Sequence, residues 1–261
     1  MEQAAEELGK EAAEEAKKKQ EEALAKLKEA REELKEEEER LAQLKREQEM
    51  LSLVHSLTTL KTQEEKILAD TVKVNTGRDA NESRRQRARI EQAVEPIAKR
   101  QDELVKEVDD LNGKLKAELA RVFTFVLRNV SSDMSQVRDS LRDLDTGSYT
   151  QFLEREIIAD IERLLVVLKE ELEKPEPEQS PPGPPPPETT PRLLPPVAEV
   201  RMLRDMQIDV NKRTRDLEDN RKASKEGVSE SWKKALDRLL QKQGSVSKMT
   251  EEVIKDFQKE K

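Results

Sequence analysis

Apolar side chains recur along most of this chain at alternating spacings of three and four residues, which predicts long α-helices that pack along narrow seams. A first helix is predicted over residues 1–73. Within it, Leu27, Leu34 and Leu41 are spaced seven residues apart, as expected for one edge of a coiled-coil seam. The interleaved positions of the same seam are Ala30, Leu44 and Leu51.

The rhythm changes phase between Gln48 and His55, and such a slip locally alters the winding of a coiled coil. After the slip, the seam continues through two polar side chains, Glu64 and Thr71. Its members are Leu53, Leu57, Leu60, Glu64, Ile67, Thr71 and Val74.

A turn is predicted at residues 75–79, where Asn, Thr, Gly, Arg and Asp follow one another. A second long helix is predicted over about residues 80–145, with Pro96 marking a kink or a fresh start. Its seam runs through Ile90, Val94, Ile97, Gln101, Leu104, Val108, Leu111, Leu115, Val122, Val126, Val130, Met134, Val137, Leu141 and Leu144.

Residues 1–147 are expected to form an elongated hairpin, because consecutive helices of matched length joined by a short turn pack most simply as antiparallel neighbours. At a rise of ~1.5 Å per residue, each arm is on the order of 100 Å long. A parallel dimer of a continuous rod is the alternative. Residues 1–45 are rich in Glu and Lys, so a single solvated helix is also open for that segment.

Three further segments follow the hairpin. Residues 148–173 present a broad apolar face and are predicted to form a helix that docks against residues 122–144. Residues 174–196 contain eleven of the twelve prolines and are predicted to be a disordered polyproline-type linker. Residues 197–261 are predicted to form a small helical module of their own.

Within this C-terminal module, the last two helices are predicted at about residues 229–243 and 247–259, with a break at Gly244. No segment alternates apolar and polar residues, so no sheet is predicted. The fold class is therefore all-α, an elongated coiled-coil helical hairpin with a Pro-rich linker to a small C-terminal helical segment.

Composition argues against an enzyme. Charged residues are 41% of the chain and aromatic residues 2%, which leaves few bulky side chains for a thick core around a pocket. The chain has no Cys, which excludes metal sites built from thiolates. Its one His is His55, and no Ser or Asp is placed around it in a known signature for nucleophilic catalysis. No Gly-rich phosphate loop occurs. We therefore predict no catalytic residues, no metal and no cofactor.

Charge and hydropathy limit the partners. A net charge of −8 gives no reason to expect binding to nucleic acid. No apolar run approaches the ~18 residues of a transmembrane segment, and the acidic first residues predict no signal peptide. Arg84 and Arg85, followed by Arg87 and Arg89, form a basic cluster that could face Glu64 and Glu65 in the hairpin, an acidic partner, or anionic lipid headgroups at a membrane surface.

Several segments together carry a family resemblance. They include Ala-Glu-Val-Arg-Met-Leu at 198–203 and Met-Gln-Ile-Asp-Val-Asn-Lys-Arg-Thr at 206–214, with further blocks at 145–147, 150–151, 154–162 and 243–244. In these blocks the chain resembles an uncharacterised family of long coiled-coil proteins from Planctomycetes-type bacteria.

The resemblance implies a bacterial protein of the cell envelope or periplasm. It also implies that the blocks flanking the linker form an interaction surface, for which the candidate partner-binding residues are Gln207, Asn211, Arg213 and Thr214.

These observations favour a non-enzymatic, scaffold-like structural or interaction protein. Its coiled-coil seams would bind a protein partner or a second copy of the chain. The alternative is a peripheral factor of the membrane or cell envelope, which would use the cluster at Arg84 and Arg85.

Overall fold

A computed structural model describes residues 2–78, 83–116, 121–174, 193–223 and 230–259. All the regular secondary structure in these ranges is helical, which confirms the all-α fold class. The helices are α1 (Glu2–Thr76), α2 (Arg84–Lys116), α3 (Arg121–Arg142), α4 (Ser148–Leu172), α5 (Pro196–Ala223) and α6 (Glu230–Lys259). The chain divides into two compact units, Met1–Glu49 and Met50–Lys261.

The first unit is helical through the N-terminal part of α1. From Lys17 to Lys45 its side chains are exposed to solvent. Ion pairs one turn apart support the helix locally: Lys19 Nζ lies 2.8 Å from Glu15 Oε1, and Lys35 Nζ lies 3.7 Å from Glu39 Oε1. Each such pair contributes about 0.2–0.5 kcal/mol to helix stability.

In the second unit, residues 50–76 of α1 run antiparallel along α2. Arg100 Nη2 lies 2.5 Å from Asp70 Oδ2, and Gln101 Nε2 lies 3.0 Å from Glu64 Oε2. The interface buries the side chains that the sequence places on the two seams, which here are Leu57, Leu60, Ile67, Val94, Ile97, Leu104 and Val108.

The predicted continuous helix over residues 80–145 is wrong. It is two helices, because α2 ends at Lys116 and α3 begins at Arg121 and returns antiparallel along α2. Ser131 Oγ lies 2.6 Å from Asp109 Oδ1, and Arg138 Nη1 lies 3.2 Å from Asp102 Oδ1. Folding back removes most of the apolar surface of α3 from water, which favours this arrangement. Its almost fully buried side chains include Val122, Phe123, Val126, Leu127, Val130 and Met134.

The corner between α3 and α4 closes against the end of α1. Leu144 has φ of 61°, in the left-handed region that often ends a helix. Arg78 Nη1 donates to the Leu144 carbonyl at 2.5 Å and to Thr146 Oγ1 at 3.2 Å. Beyond the corner, α4 packs against α3 through an apolar face that includes Leu153, Ile157, Ile161, Leu164 and Leu168, all fully buried.

Helices α5 and α6 pack against each other and against α4, while α5 also contacts α3. The prediction that residues 197–261 form a unit of their own was therefore wrong, since they belong to the compact unit Met50–Lys261. Most of the predicted linker, residues 175–192, lies outside the described residues. The described residues just before α5 include Leu193 and Leu194, which are almost fully buried.

The predicted break at Gly244 is also wrong, because α6 continues through it from Glu230 to Lys259. Glycine in a helix interior costs about 1 kcal/mol relative to alanine. Burial of Leu239, Val246 and Val253 on the packed face of α6 offsets that cost. Among the described helices, none combines the length and the apolar character needed to cross a membrane.

Candidate interaction surface and buried charge cluster

The first unit carries an apolar strip that no described residue covers. Its leucines are more than half exposed: Leu27 at 67%, Leu34 at 66%, Leu41 at 57% and Leu44 at 53%. With Ala30 and Glu37, they occupy alternating steps of three and four residues along one side of the helix. We call these six residues, Leu27, Ala30, Leu34, Glu37, Leu41 and Leu44, the α1 seam.

The α1 seam has the residue spacing that a coiled-coil interface requires. In heptad notation, Leu27, Leu34 and Leu41 take position a, and the other three residues take position d. Association with another helix would bury these exposed leucines. Removing apolar surface from water contributes about 25 cal/mol of favourable free energy per Å². Charged residues flank the strip at positions g and e, namely Lys26, Glu33, Arg40 and Glu47 on one side and Arg31, Glu38 and Lys45 on the other.

The second unit contains a cluster of charged side chains where α4, α5 and α6 meet. We call its members, Glu156, Asp160, Arg163, Asp209, Arg213 and Lys242, the α4–α6 charge cluster. Lys242 Nζ lies 3.1 Å from Asp160 Oδ1 and 3.4 Å from Glu156 Oε2. Arg163 Nη2 lies 2.6 Å from Asp160 Oδ1 and 3.2 Å from Asp209 Oδ2.

Arg213 completes this cluster. Its Nε lies 2.7 Å from Asp209 Oδ2, and its Nη1 contacts Glu156 Oε1. Three acidic side chains therefore balance three basic ones. Burial raises the pKa of Asp209, lowers the pKa of Lys242 and lowers the pKa of Arg213 to about 10. The cluster joins three helices through contacts that are nearly all internal, so its charges are directed at one another and not at solvent.

The four residues predicted to bind a partner on α5 have different roles in the structure. Arg213 is turned inward, into the α4–α6 charge cluster. Gln207 exchanges hydrogen bonds with Gln243 of α6, at 2.8 Å and 3.0 Å, and also donates to Asn211 Oδ1 at 3.1 Å. Asn211 and Thr214 are exposed, and the Thr214 hydroxyl donates to the Val210 carbonyl at 2.7 Å.

Arg84 and Arg85 lie exposed at the start of α2. The expectation that they face Glu64 and Glu65 is wrong. Glu64 instead faces Gln101, and Glu65 lies 3.7 Å from Lys61. Because Glu64 pairs with residue 101 in an antiparallel arrangement, residue 84 falls beyond the end of α1.

Two buried carboxyl groups lie in the interfaces of residues 50–76. Glu64 accepts from Gln101, and Glu154 of α4 accepts from the Thr71 hydroxyl at 2.6 Å. Burial raises the pKa of Glu64 to about 8 and that of Glu154 to about 7. Neither carboxyl has a cationic side chain hydrogen-bonded to it among the described residues, so near neutral pH Glu64 is mostly a neutral acid and Glu154 is close to half protonated.

Two shallow grooves accompany these features. One, of about 390 Å³, lies between α2 and the end of α3 and includes Asp102, Lys106 and Arg142. The other, of about 430 Å³, lies between α1 and α2 near Pro96 and Arg100. Within the described part of the chain, no group of His, Cys, Asp and Glu side chains is placed to hold a metal ion.

Comparisons with known proteins add no relative: no protein-family model, curated protein or solved structure matches this chain.

Proposed function

We propose that this protein is a scaffold-like, non-enzymatic coiled-coil protein that assembles by pairing its α1 seam with another helix. The observation that carries this proposal is the exposure of Leu27, Leu34, Leu41 and Leu44, each more than half accessible at coiled-coil spacing. A solitary solvated helix needs no leucine at these positions. A helix that associates uses them as its contact surface.

The architecture of the second unit supports the same proposal. Most of its large apolar side chains are buried by internal helix packing, and the α4–α6 charge cluster is closed upon itself. Exceptions such as Val197, Val200 and Ile208 on α5 are exposed, but among the described residues of the first unit the seam repeats exposed leucines at coiled-coil spacing over more than two heptads. A contiguous exposed apolar strip of this kind is typical of an interaction site.

Sedimentation equilibrium of the full chain tests the proposal. The chain mass is 30.0 kDa, and we expect an average mass that rises above this value across the micromolar range. Leu34→Glu with Leu41→Glu places two charges in the seam and should return the chain to its monomer mass. Ala25→Glu with Ala42→Glu adds the same charges on exposed positions away from the seam and should leave association unchanged.

Circular dichroism of both double variants shows whether helicity is preserved. A wild-type chain that stays monomeric throughout this range would contradict the proposal. So would equal association of the seam variant and its control.

A second candidate is a peripheral membrane or cell-envelope factor. The observation that favours it is the exposed basic cluster of Arg84, Arg85, Arg87 and Arg89 at the start of α2. Each basic residue near an anionic bilayer contributes about 1 kcal/mol of attraction. Co-sedimentation with phosphatidylserine-containing vesicles at low salt tests this candidate. A variant with both Arg84→Ser and Arg85→Ser should co-sediment less than the wild type. Equal co-sedimentation of the variant would remove it.

A further inference from the structure

We infer that the partner of the α1 seam is the same segment of a second copy of this chain, running antiparallel and displaced by one heptad from the fully overlapped alignment of residues 27–51. This inference rests on the proposed function, because it names the occupant and orientation of that same surface. The argument comes from the charges that flank the seam, since residues at positions e and g set orientation in coiled coils.

The flanking charges alternate in sign from one heptad to the next. At position g the order is Lys26, Glu33, Arg40 and Glu47, all exposed. At position e the order is Arg31, Glu38 and Lys45, also exposed. Alternation of this kind makes the match between two copies depend strongly on their direction and offset.

A parallel dimer in register brings like charges together. In that arrangement each g residue faces the e residue five positions later on the other chain. The pairs would be Lys26 with Arg31, Glu33 with Glu38 and Arg40 with Lys45. Each repulsive pair occurs twice by symmetry, and Glu37 would also face its own copy at position d. The sequence therefore disfavours the closed parallel dimer.

An antiparallel dimer brings g residues against g residues and e residues against e residues. When Leu27 packs in the same layer as Leu44 of the second copy, Ala30 meets Leu41 and Leu34 meets Glu37. The flanking contacts are then all between opposite charges. They are Lys26 with Glu47, Glu33 with Arg40, and Arg31 with Glu38, each formed twice.

Other offsets are less favourable. Moving the second copy by one heptad so that Leu27 meets Leu51 places Arg40 against Arg40 and Glu38 against Glu38. Moving it a further heptad, so that Leu34 meets Leu51, restores opposite charges but leaves two kinds of flanking contact, Arg40 with Glu47 and Glu38 with Lys45, instead of three. A staggered parallel pair also matches charges, but it leaves unmatched ends that recruit further copies instead of closing a dimer.

Cysteine cross-linking tests the orientation, and the absence of native Cys makes each added thiol unique. Leu27→Cys and Leu44→Cys are prepared separately, one with an affinity tag, and are mixed before treatment with a short bis-maleimide. We expect cross-linked heterodimers from the mixture and little product from Leu27→Cys alone. Efficient cross-linking of Leu27→Cys with itself would establish a parallel dimer and overturn the inference.

A charge reversal gives an independent result of definite sign. Glu33→Lys turns the attraction to Arg40 of an antiparallel partner into repulsion, so we expect dimerisation to weaken by roughly tenfold. In a parallel dimer, the same change would create attraction to Glu38 and strengthen dimerisation. Glu32→Lys makes the same charge change at an outward position and serves as the matched control.

Adding Arg40→Glu to Glu33→Lys restores opposite charges and should recover most of the antiparallel affinity. A Glu33→Lys chain that dimerises as well as Glu32→Lys, or better, would overturn the inference. If the wild-type chain does not associate at all, both the proposed function and this inference are contradicted. If it associates but behaves as a parallel dimer in these experiments, only the inference is contradicted.

Discussion

Gln101 Nε2 donates a hydrogen bond to Glu64 Oε2 across 3.0 Å in the interface between α1 and α2, and both residues are completely buried. The carboxyl lies in the apolar seam that continues through Leu60 and Ile67. Burial disfavours its ionised form, and the nearby Glu154 carboxyl raises its pKa further, to about 8. This interface is therefore most stable when Glu64 is protonated.

A pH dependence of stability follows from this relationship. The pKa of Glu64 rises from its ordinary value of 4.5 to about 8 on folding, so the native state binds the extra proton between these values. The free energy of unfolding should therefore fall as pH rises from about 5 to 8, by up to about 1.4 kcal/mol per pH unit for this group. Urea denaturation at several pH values measures that slope.

Glu64→Gln keeps the shape and an acceptor oxygen but cannot ionise. It should match the wild type at pH 5 and exceed its stability at pH 9. Glu65→Gln, at an exposed neighbouring position, is the control and should follow the wild-type profile. A Glu64→Gln variant whose stability declines with pH as steeply as the wild type would show that this carboxyl is not responsible.

The α4–α6 charge cluster leads to a second prediction. Lys242→Met removes a cation whose ammonium group lies near Glu156 and Asp160, while keeping a long apolar side chain. The buried acidic side chains then outnumber the basic ones, so we expect a loss of about 3–5 kcal/mol in the free energy of unfolding. Denaturant unfolding followed by circular dichroism gives the value.

Adding Asp160→Asn to Lys242→Met removes the excess negative charge and should recover part of that loss. Lys248→Met, at an exposed position on the same helix, should change stability by no more than about 0.5 kcal/mol. If Lys242→Met and Lys248→Met are equally stable, Lys242 does not clamp the three helices.

Much of the interface pattern could be predicted from the sequence. The 3–4 rhythm placed Glu64, Thr71 and Gln101 on the seams, and the structure buries all three. Such positions are predictable because they depend on neighbours along one helix, which share a face every three to four residues. The sequence gives no comparable rule for the end of α2. The nearest turn-favouring dipeptide, Asn112-Gly113, is itself helical, and residues 117–120 read Ala-Glu-Leu-Ala, all acceptable in a helix.

The charge cluster was beyond sequence reasoning for a different reason. Asp209 and Arg213 are one turn apart and could be paired from spacing alone. Lys242 and Asp160 are 82 residues apart, and only the docking of α6 on α4 brings them together. A polar stripe on α5 therefore gave the same signal whether it faced a partner or, as for Arg213, another helix of the same chain.

The reversal of chain direction between α2 and α3 can be tested by distance. Asp109→Cys with Ser131→Cys should be joined by a short bis-maleimide, because Ser131 Oγ and Asp109 Oδ1 are 2.6 Å apart. One continuous helix would separate these positions by about 33 Å. Mass spectrometry of digested monomer identifies an intramolecular product.

The control for this experiment is Ser83→Cys with Asp109→Cys; residue 83 immediately precedes α2. About 39 Å along α2 separates it from residue 109. This control should give no intramolecular product with the same reagent. Absence of the link between residues 109 and 131, with both thiols reactive, would contradict the antiparallel packing of α2 and α3.

Gly244→Ala distinguishes a continuous α6 from two helices separated at this residue. A methyl group at position 244 would meet no heavy atom within 4 Å, and the backbone there is helical. Alanine should therefore stabilise the chain by about 0.5–1 kcal/mol, because glycine has the greater conformational freedom in the unfolded state. Gly113→Ala, in the last turn of α2 with equally open surroundings, is the comparison and should gain up to a similar amount. If α6 instead ended at Gly244 in a left-handed cap, alanine would be strained there and Gly244→Ala would lower the melting temperature while Gly113→Ala raised it.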